Sequence, residues 1–122
     1  MDHSNLGEYL ADMAKGDRRE VSSRLVTLLA HLLKWEHQPD GRSGSWQGTI
    51  LEQRRELRKL LESGTLHKHA LSVLAEAYAD ARKQAAAETG LSRGTLPVEC
   101  TWDLESLLAD DEEGAESDRG GT

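Results

Sequence analysis

Apolar residues recur at intervals of three and four along most of the chain, the period of one helix face. The clearest run is Val21, Leu25, Leu28, Leu29, Leu32 and Trp35. It predicts a helix opened by the cap signature Asp17-Arg18-Arg19-Glu20 and ended by Pro39, which disfavours helix at the residue before it. Upstream, Asn5 and Glu8 have capping-box spacing, which predicts a separate short helix from Leu6 to Ala14 with Gly16 as its left-handed stop. The stretch His37 to Ser45 has the chemistry of a loop. A third helix is expected over Trp46–Glu62, carrying Trp46, Ile50, Gln53, Leu57, Leu60 and Leu61 on one side, with Trp46 as a packing anchor. A long fourth helix is expected over Leu66–Thr89, capped by Thr65 and stopped by Gly90. Its stripe of Leu66, Ala70, Leu74, Ala77, Tyr78, Ala81 and Ala85 has alanines that let a neighbour approach closely. After a loop from Leu91 to Cys100, a short last helix carries Leu104, Leu107 and Leu108 behind a cap at Thr101 or Asp103.

No single helix of this kind outweighs the entropy of ordering its own backbone, so the helices must share a core. The fold expected is all-α: a compact bundle of four to five helices over residues 1–108, with a disordered acidic tail over 109–122. Composition agrees, since Leu and Ala dominate, Phe is absent and Pro occurs twice. The net charge of −7 comes entirely from the segment after Trp102, where eight acids face Arg119 alone. Residues 1–102 are balanced, which argues against a dedicated nucleic-acid binder, whose surface carries a basic excess. The N-terminus lacks the features of a signal peptide, no apolar stretch is long enough to span a bilayer, and Cys100 is the only cysteine. A cytoplasmic protein is expected, without membrane association.

The candidate chemistry is sparse. Arg54, Arg55, Arg58 and Lys59 lie within two helical turns, with Lys34 and Arg42 expected nearby across the loop and Trp35 and Trp46 flanking it. Guanidinium forks suit phosphate oxygens and indole faces suit bases, so Lys34, Trp35, Arg42, Arg54, Arg55 and Arg58 form a candidate binding surface. Interleaved Glu52, Glu56 and Glu62 favour a salt-bridge-laced solvent face instead. His31 has no partner at helical spacing and reads as a hydrogen-bonded boundary histidine; His67 and His69 point to different sides. Tyr78 and Arg82, four residues apart, can form one recognising patch, whereas Asp80 and Arg82 do not converge. Cys100 reads as a small packed side chain. Neither a catalytic set, a metal site nor a cofactor is expected.

The run Asp17-Arg18-Arg19-Glu20 through Ser23-Arg24-Leu25, followed by His31-Leu32-Leu33-Lys34-Trp35, resembles a bacterial family known as domain of unknown function 29. The resemblance continues through Gln38-Pro39, Ser45-Trp46, Thr49-Ile50, Gln53-Arg54-Arg55 and Ala77-Tyr78-Ala79-Asp80-Ala81-Arg82. It closes on Glu88-Thr89-Gly90-Leu91, Pro97, Glu99-Cys100 and Trp102. It implies an all-helical fold and a bacterial origin, and marks His31, Trp46, Tyr78, Asp80, Arg82 and Trp102 as family-motif positions; it implies no activity. Relatives carry a further helical segment upstream of Leu6, so its absence is expected to leave apolar surface to cover, either by Leu6, Tyr9, Leu10 and Met13 folding back or by association. The expected function is a non-enzymatic module that binds a protein or a second copy of itself. The alternative is a nucleic-acid-associated or antitoxin-like regulator using the arginine face.

Overall fold

The computed structural model describes residues 3–109, with side chains from Lys15 onward apart from Arg93. Among the described residues there are four α-helices and no strand: α1 (His3–His37), α2 (Gly44–Leu60), α3 (Gly64–Thr89) and α4 (Leu104–Leu107), with single 3-10 turns at Pro39–Gly41 and Arg93–Thr95. The acidic tail expected after Ala109 lies outside the described residues.

The first two expected helices are one. α1 runs unbroken for 35 residues, about 52 Å at helical rise. Gly16 does not adopt the left-handed conformation a stop requires; among the described glycines only Gly90 has positive φ, at 77°. A glycine inside a helix costs about 1 kcal/mol relative to alanine. A break would cost more, because it leaves backbone donors and acceptors on both sides of the gap without helical partners. The segment before Asp17 therefore extends the axis of α1 rather than folding back.

The other boundaries follow cap chemistry. Ser43 accepts from the Trp46 amide at 3.2 Å, so α2 starts two residues ahead of Trp46. Ser63, not Thr65, opens α3 by accepting from the Leu66 amide at 3.2 Å. Gly90 closes α3 with its amide on the Ala86 carbonyl at 2.9 Å, and Asp103 caps α4 through the Ser106 amide at 2.8 Å.

α2 returns antiparallel to α1, placing Gln53 beside Arg24 and Trp46 beside Lys34. α3 reverses again and so runs parallel to α1, with Ser22 opposite His69 and Lys34 opposite Glu88. α1 packs on both neighbours. That accounts for its broad leucine face: Leu25, Leu28, Leu29 and Leu33 are all fully buried. α3 contributes Leu66, Ala70, Ala77, Tyr78, Ala81 and Ala85 to the same core, as its stripe predicts, with Leu74 partly buried against it. The chain after Gly90 then returns along α3 as a strap, and α4 inserts Leu104 and Leu107 beside α2 and α3. Trp46 is not the expected anchor: it is half-buried and stands outside the core cluster.

The helical interior of α2 supplies a test. Gly48 has open space around the position of a Cβ and no left-handed backbone. Gly48→Ala should raise unfolding stability by about 0.5–1 kcal/mol in urea titrations. Leu107→Ala should lower it by about 2–5 kcal/mol, since that side chain is fully buried although its helix is one turn long.

Candidate functional site

The structure divides the expected arginine surface in two. At the α1–α2 junction the Arg42 guanidinium stacks on Trp35 at 5.0 Å and donates to the Trp35 carbonyl at 2.7 Å. Lys34, buried to 7 % exposure, places its ammonium 5.1 Å from the Trp46 ring centroid and donates to Glu88 at 2.6 Å. Gly41 is needed there for space: a Cβ would come within 2.9 Å of the Trp46 ring. Trp46 is thus a platform for a buried cation and a lid on the 3-10 turn.

Arg54 and Arg58 lie eight and twelve residues farther along α2, about 12 and 18 Å away at helical rise. Both turn to the chain itself. Arg54 donates to the Leu107 carbonyl at 2.8 Å and Arg58 to the Leu108 carbonyl at 3.1 Å, satisfying acceptors at the C-terminal end of α4. Arg55 and Lys59 are exposed and both face Glu56, at 3.6 and 3.4 Å. Of the interleaved acids, Glu56 is the one that pairs with both.

Tyr78 and Arg82 do form one patch, and its target is the strap. The Tyr78 hydroxyl donates to the Pro97 carbonyl at 2.6 Å, and two guanidinium nitrogens of Arg82 reach the Leu96 carbonyl at 3.2 Å. Trp102 packs edge-on against Tyr78 with ring centroids 6.5 Å apart, and the Cys100 thiol donates to the Trp102 carbonyl at 3.2 Å. Burial pushes the Cys100 thiol and the Tyr78 hydroxyl upward in pKa, which keeps both protonated. Asp80 points away from Arg82 toward the other side of α3, where it is exposed.

His31 is a boundary histidine, its Nδ1 donating to the Thr27 carbonyl at 2.9 Å. Burial, opposed by that hydrogen bond, lowers its pKa, with the Lys34 charge adding to the fall. Among the described residues no three His, Cys, Asp or Glu side chains gather to hold a metal ion, and no helix is long and apolar enough to cross a membrane.

The feature that sequence spacing did not reveal is a groove on the outer side of the α1–α3 pair. Its wide end, about 480 Å³, is lined by Arg18, Arg19, Ser22, Ser23, Val26 and His69. Its narrow end, about 100 Å³, adds Val73, Glu76, Ala77 and Asp80 and shares Ser22 and Val26 with the first. His69 and Ser22 approach to 3.4 Å across it. The adjacent arginines were legible only as a helix cap, and their neighbours come from a helix some 50 residues on.

The fold and site define a class: a parallel–antiparallel three-helix bundle closed by a tethered strap, with an open groove between α1 and α3. A family model described as "Domain of unknown function DUF29" matches residues 1–112, and the chain belongs to that family. No curated protein and no solved structure matches it.

Two tests follow from these contacts. Arg54→Ala and Tyr78→Phe each remove a donor from a strap or α4 carbonyl, and each should cost about 1–2 kcal/mol in thermal unfolding without changing secondary structure. Glu88 is held below the usual carboxylate range, chiefly by its hydrogen bond from Lys34. Its contribution is present above the unfolded glutamate pKa and is lost as pH falls through the lower folded value. The stability gap between the protein and Glu88→Gln should therefore be constant near neutrality and shrink below about pH 4.5. A gap that widens in acid would exclude the ion pair as its source.

Proposed function

We propose that this protein is a non-enzymatic helical interaction module of the cytoplasm, whose partner is another polypeptide or a second copy of itself. The observation that carries this reading is the outer α1–α3 groove, which combines apolar Val26 and Val73 with cationic and anionic residues at separate ends. Such a mixture of apolar centre and polar rim is the composition of protein interfaces. The commitment of Arg54 and Arg58 to the chain's own carbonyls supports it further, because those cations would otherwise be the core of a phosphate-binding face. The nucleic-acid reading retains exposed Arg55 and Lys59, but Glu56 stands between them.

Photo-crosslinking in the producing cell separates the two. A benzophenone side chain introduced at Ser23, in the groove, should capture a polypeptide in a discrete adduct insensitive to nuclease. The same probe at Arg55 should give none. A nuclease-sensitive adduct at Arg55, or no adduct at Ser23, would overturn the proposal. In vitro, the protein should not shift duplex or single-stranded oligonucleotides at low ionic strength. A shift whose salt slope falls by about 0.7–0.9 for each arginine removed would instead establish phosphate contacts.

A further inference from the structure

The α1–α3 groove has a direction. Both helices run the same way, so a position along one corresponds to a position along the other. At the wide end stand Arg18 and Arg19, both exposed. At the narrow end stand Glu76 and Asp80, both exposed, seven and eleven residues beyond His69 and so about 10 and 16 Å farther along α3. Between the charged ends lie Val26 and Val73, half-buried at the groove floor.

A face with cations at one end, anions at the other and an apolar centre is complementary to itself once turned end for end. We infer that the groove is the contact surface of a twofold homodimer. Because the cations stand on α1 and the anions on α3, a dyad near Val26 and Val73 set obliquely to the helix axes brings Arg18 and Arg19 of each copy against Glu76 and Asp80 of the other. One rotation makes the charge contact twice, as an isologous interface requires. The opposite stacking, with both copies pointing the same way, would put like charges together. Helix dipoles favour the same arrangement: α1 and α3 point their partial charges one way, and a crossed, end-reversed second copy partly offsets both.

The face sets the strength. The stretch from His69 to Asp80 is about 16 Å long, and two helices side by side are about 20 Å wide. Each copy then buries only a few hundred Å², below the size of a stable specific interface and in the range of weak, transient contacts. A weak, reversible dimer is expected, weakening further as salt screens the rim charges.

This inference rests on the interaction-module reading and adds to it the identity of the partner. The test is a charge exchange on the purified chain, read by sedimentation equilibrium up to about 200 µM. The unmodified protein should show a monomer–dimer equilibrium. Arg18→Glu/Arg19→Glu should be monomeric, and so should Glu76→Lys/Asp80→Lys. Mixed one to one, the two variants should regain a species of dimer mass, with a dissociation constant within about threefold of the original, since every contact is again between opposite charges. Circular dichroism melts confirm that each variant is folded. If either double variant is not, Arg19→Glu and Asp80→Lys carry the same mixing experiment. Three results would overturn the dimer: an unmodified chain monomeric throughout, dimers that persist in both charge variants, or a mixture that stays monomeric. A monomeric chain that still captures a different polypeptide through Ser23 would remove the second copy and leave the interaction module standing.

Discussion

Everything in the bundle leans on the two-sided burial of α1. Leu25, Leu28, Leu29 and Leu33 have no solvent exposure, yet they spread over more of the helix circumference than one neighbour can cover. Only a helix gripped by both α2 and α3 satisfies them. With short connections on either side of α2, that demand leaves one arrangement: α2 returns beside α1, and α3 turns back to lie parallel to it. α3 meets this neighbour with Ala70, Ala77, Ala81 and Ala85, whose small side chains permit close approach.

Three helices leave one side of the core open along α2 and α3, and the chain closes it with little regular structure. The strap from Gly90 to Asp103 has a single 3-10 turn, so its carbonyls find few partners within the segment. Long polar side chains on the helices supply them. Tyr78 and Arg82 reach Pro97 and Leu96 in the strap, and just beyond it Arg54 and Arg58 reach Leu107 and Leu108 at the end of α4. These donors fasten the segment, while Leu96, Leu104 and Leu107 provide the burial. The two effects are mutually dependent. Apolar burial without the donors would strand carbonyls, and the donors without burial would be competing with water.

What the amino-acid pattern revealed, and what it did not, follows from the range of each interaction. Periodicity is local, so the α3 stripe and the leucine face of α1 were readable residue by residue. Asp103 and Gly90 act within a few residues, and their roles were readable too. Gly16 misled because a left-handed stop is only one of its options; the helical continuation through it is settled by cooperativity on both sides. Arg54, Arg58, Tyr78 and Arg82 were recognisable as unusual, and Tyr78 and Arg82 as a pair. Their acceptors are backbone carbonyls 14 to 53 residues away, on the strap and at the end of α4, and a carbonyl leaves no mark in the residue pattern. Trp46 departs from the expected packing role for a related reason: its neighbours are Lys34 and Gly41, brought over by the turn, rather than the apolar residues of its own helix. The α1–α3 groove needed the parallel alignment of two helices that are not consecutive.

That alignment itself requires an explanation, because an alanine-rich seam is nearly featureless and would tolerate a slip of one turn, about 5.4 Å. The Lys34–Glu88 pair removes the ambiguity. Lys34 lies on a face otherwise given to burial, and its ammonium is satisfied by Glu88 at 2.6 Å and by the face of Trp46. A one-turn slip in either direction would carry Glu88 out of reach and leave a buried charge with only a ring for company. Breaking such a pair costs about 3–5 kcal/mol when the remaining charge stays buried. A partly exposed Glu88 reduces that figure, but the comparison is with seams of almost equal apolar contact, so even a fraction decides the register. The same register sets Ser22 opposite His69 and brings Val26 and Val73 together along the groove. The buried lysine near the C-terminal end of α1 therefore governs which charges and which apolar residues the opposite end displays.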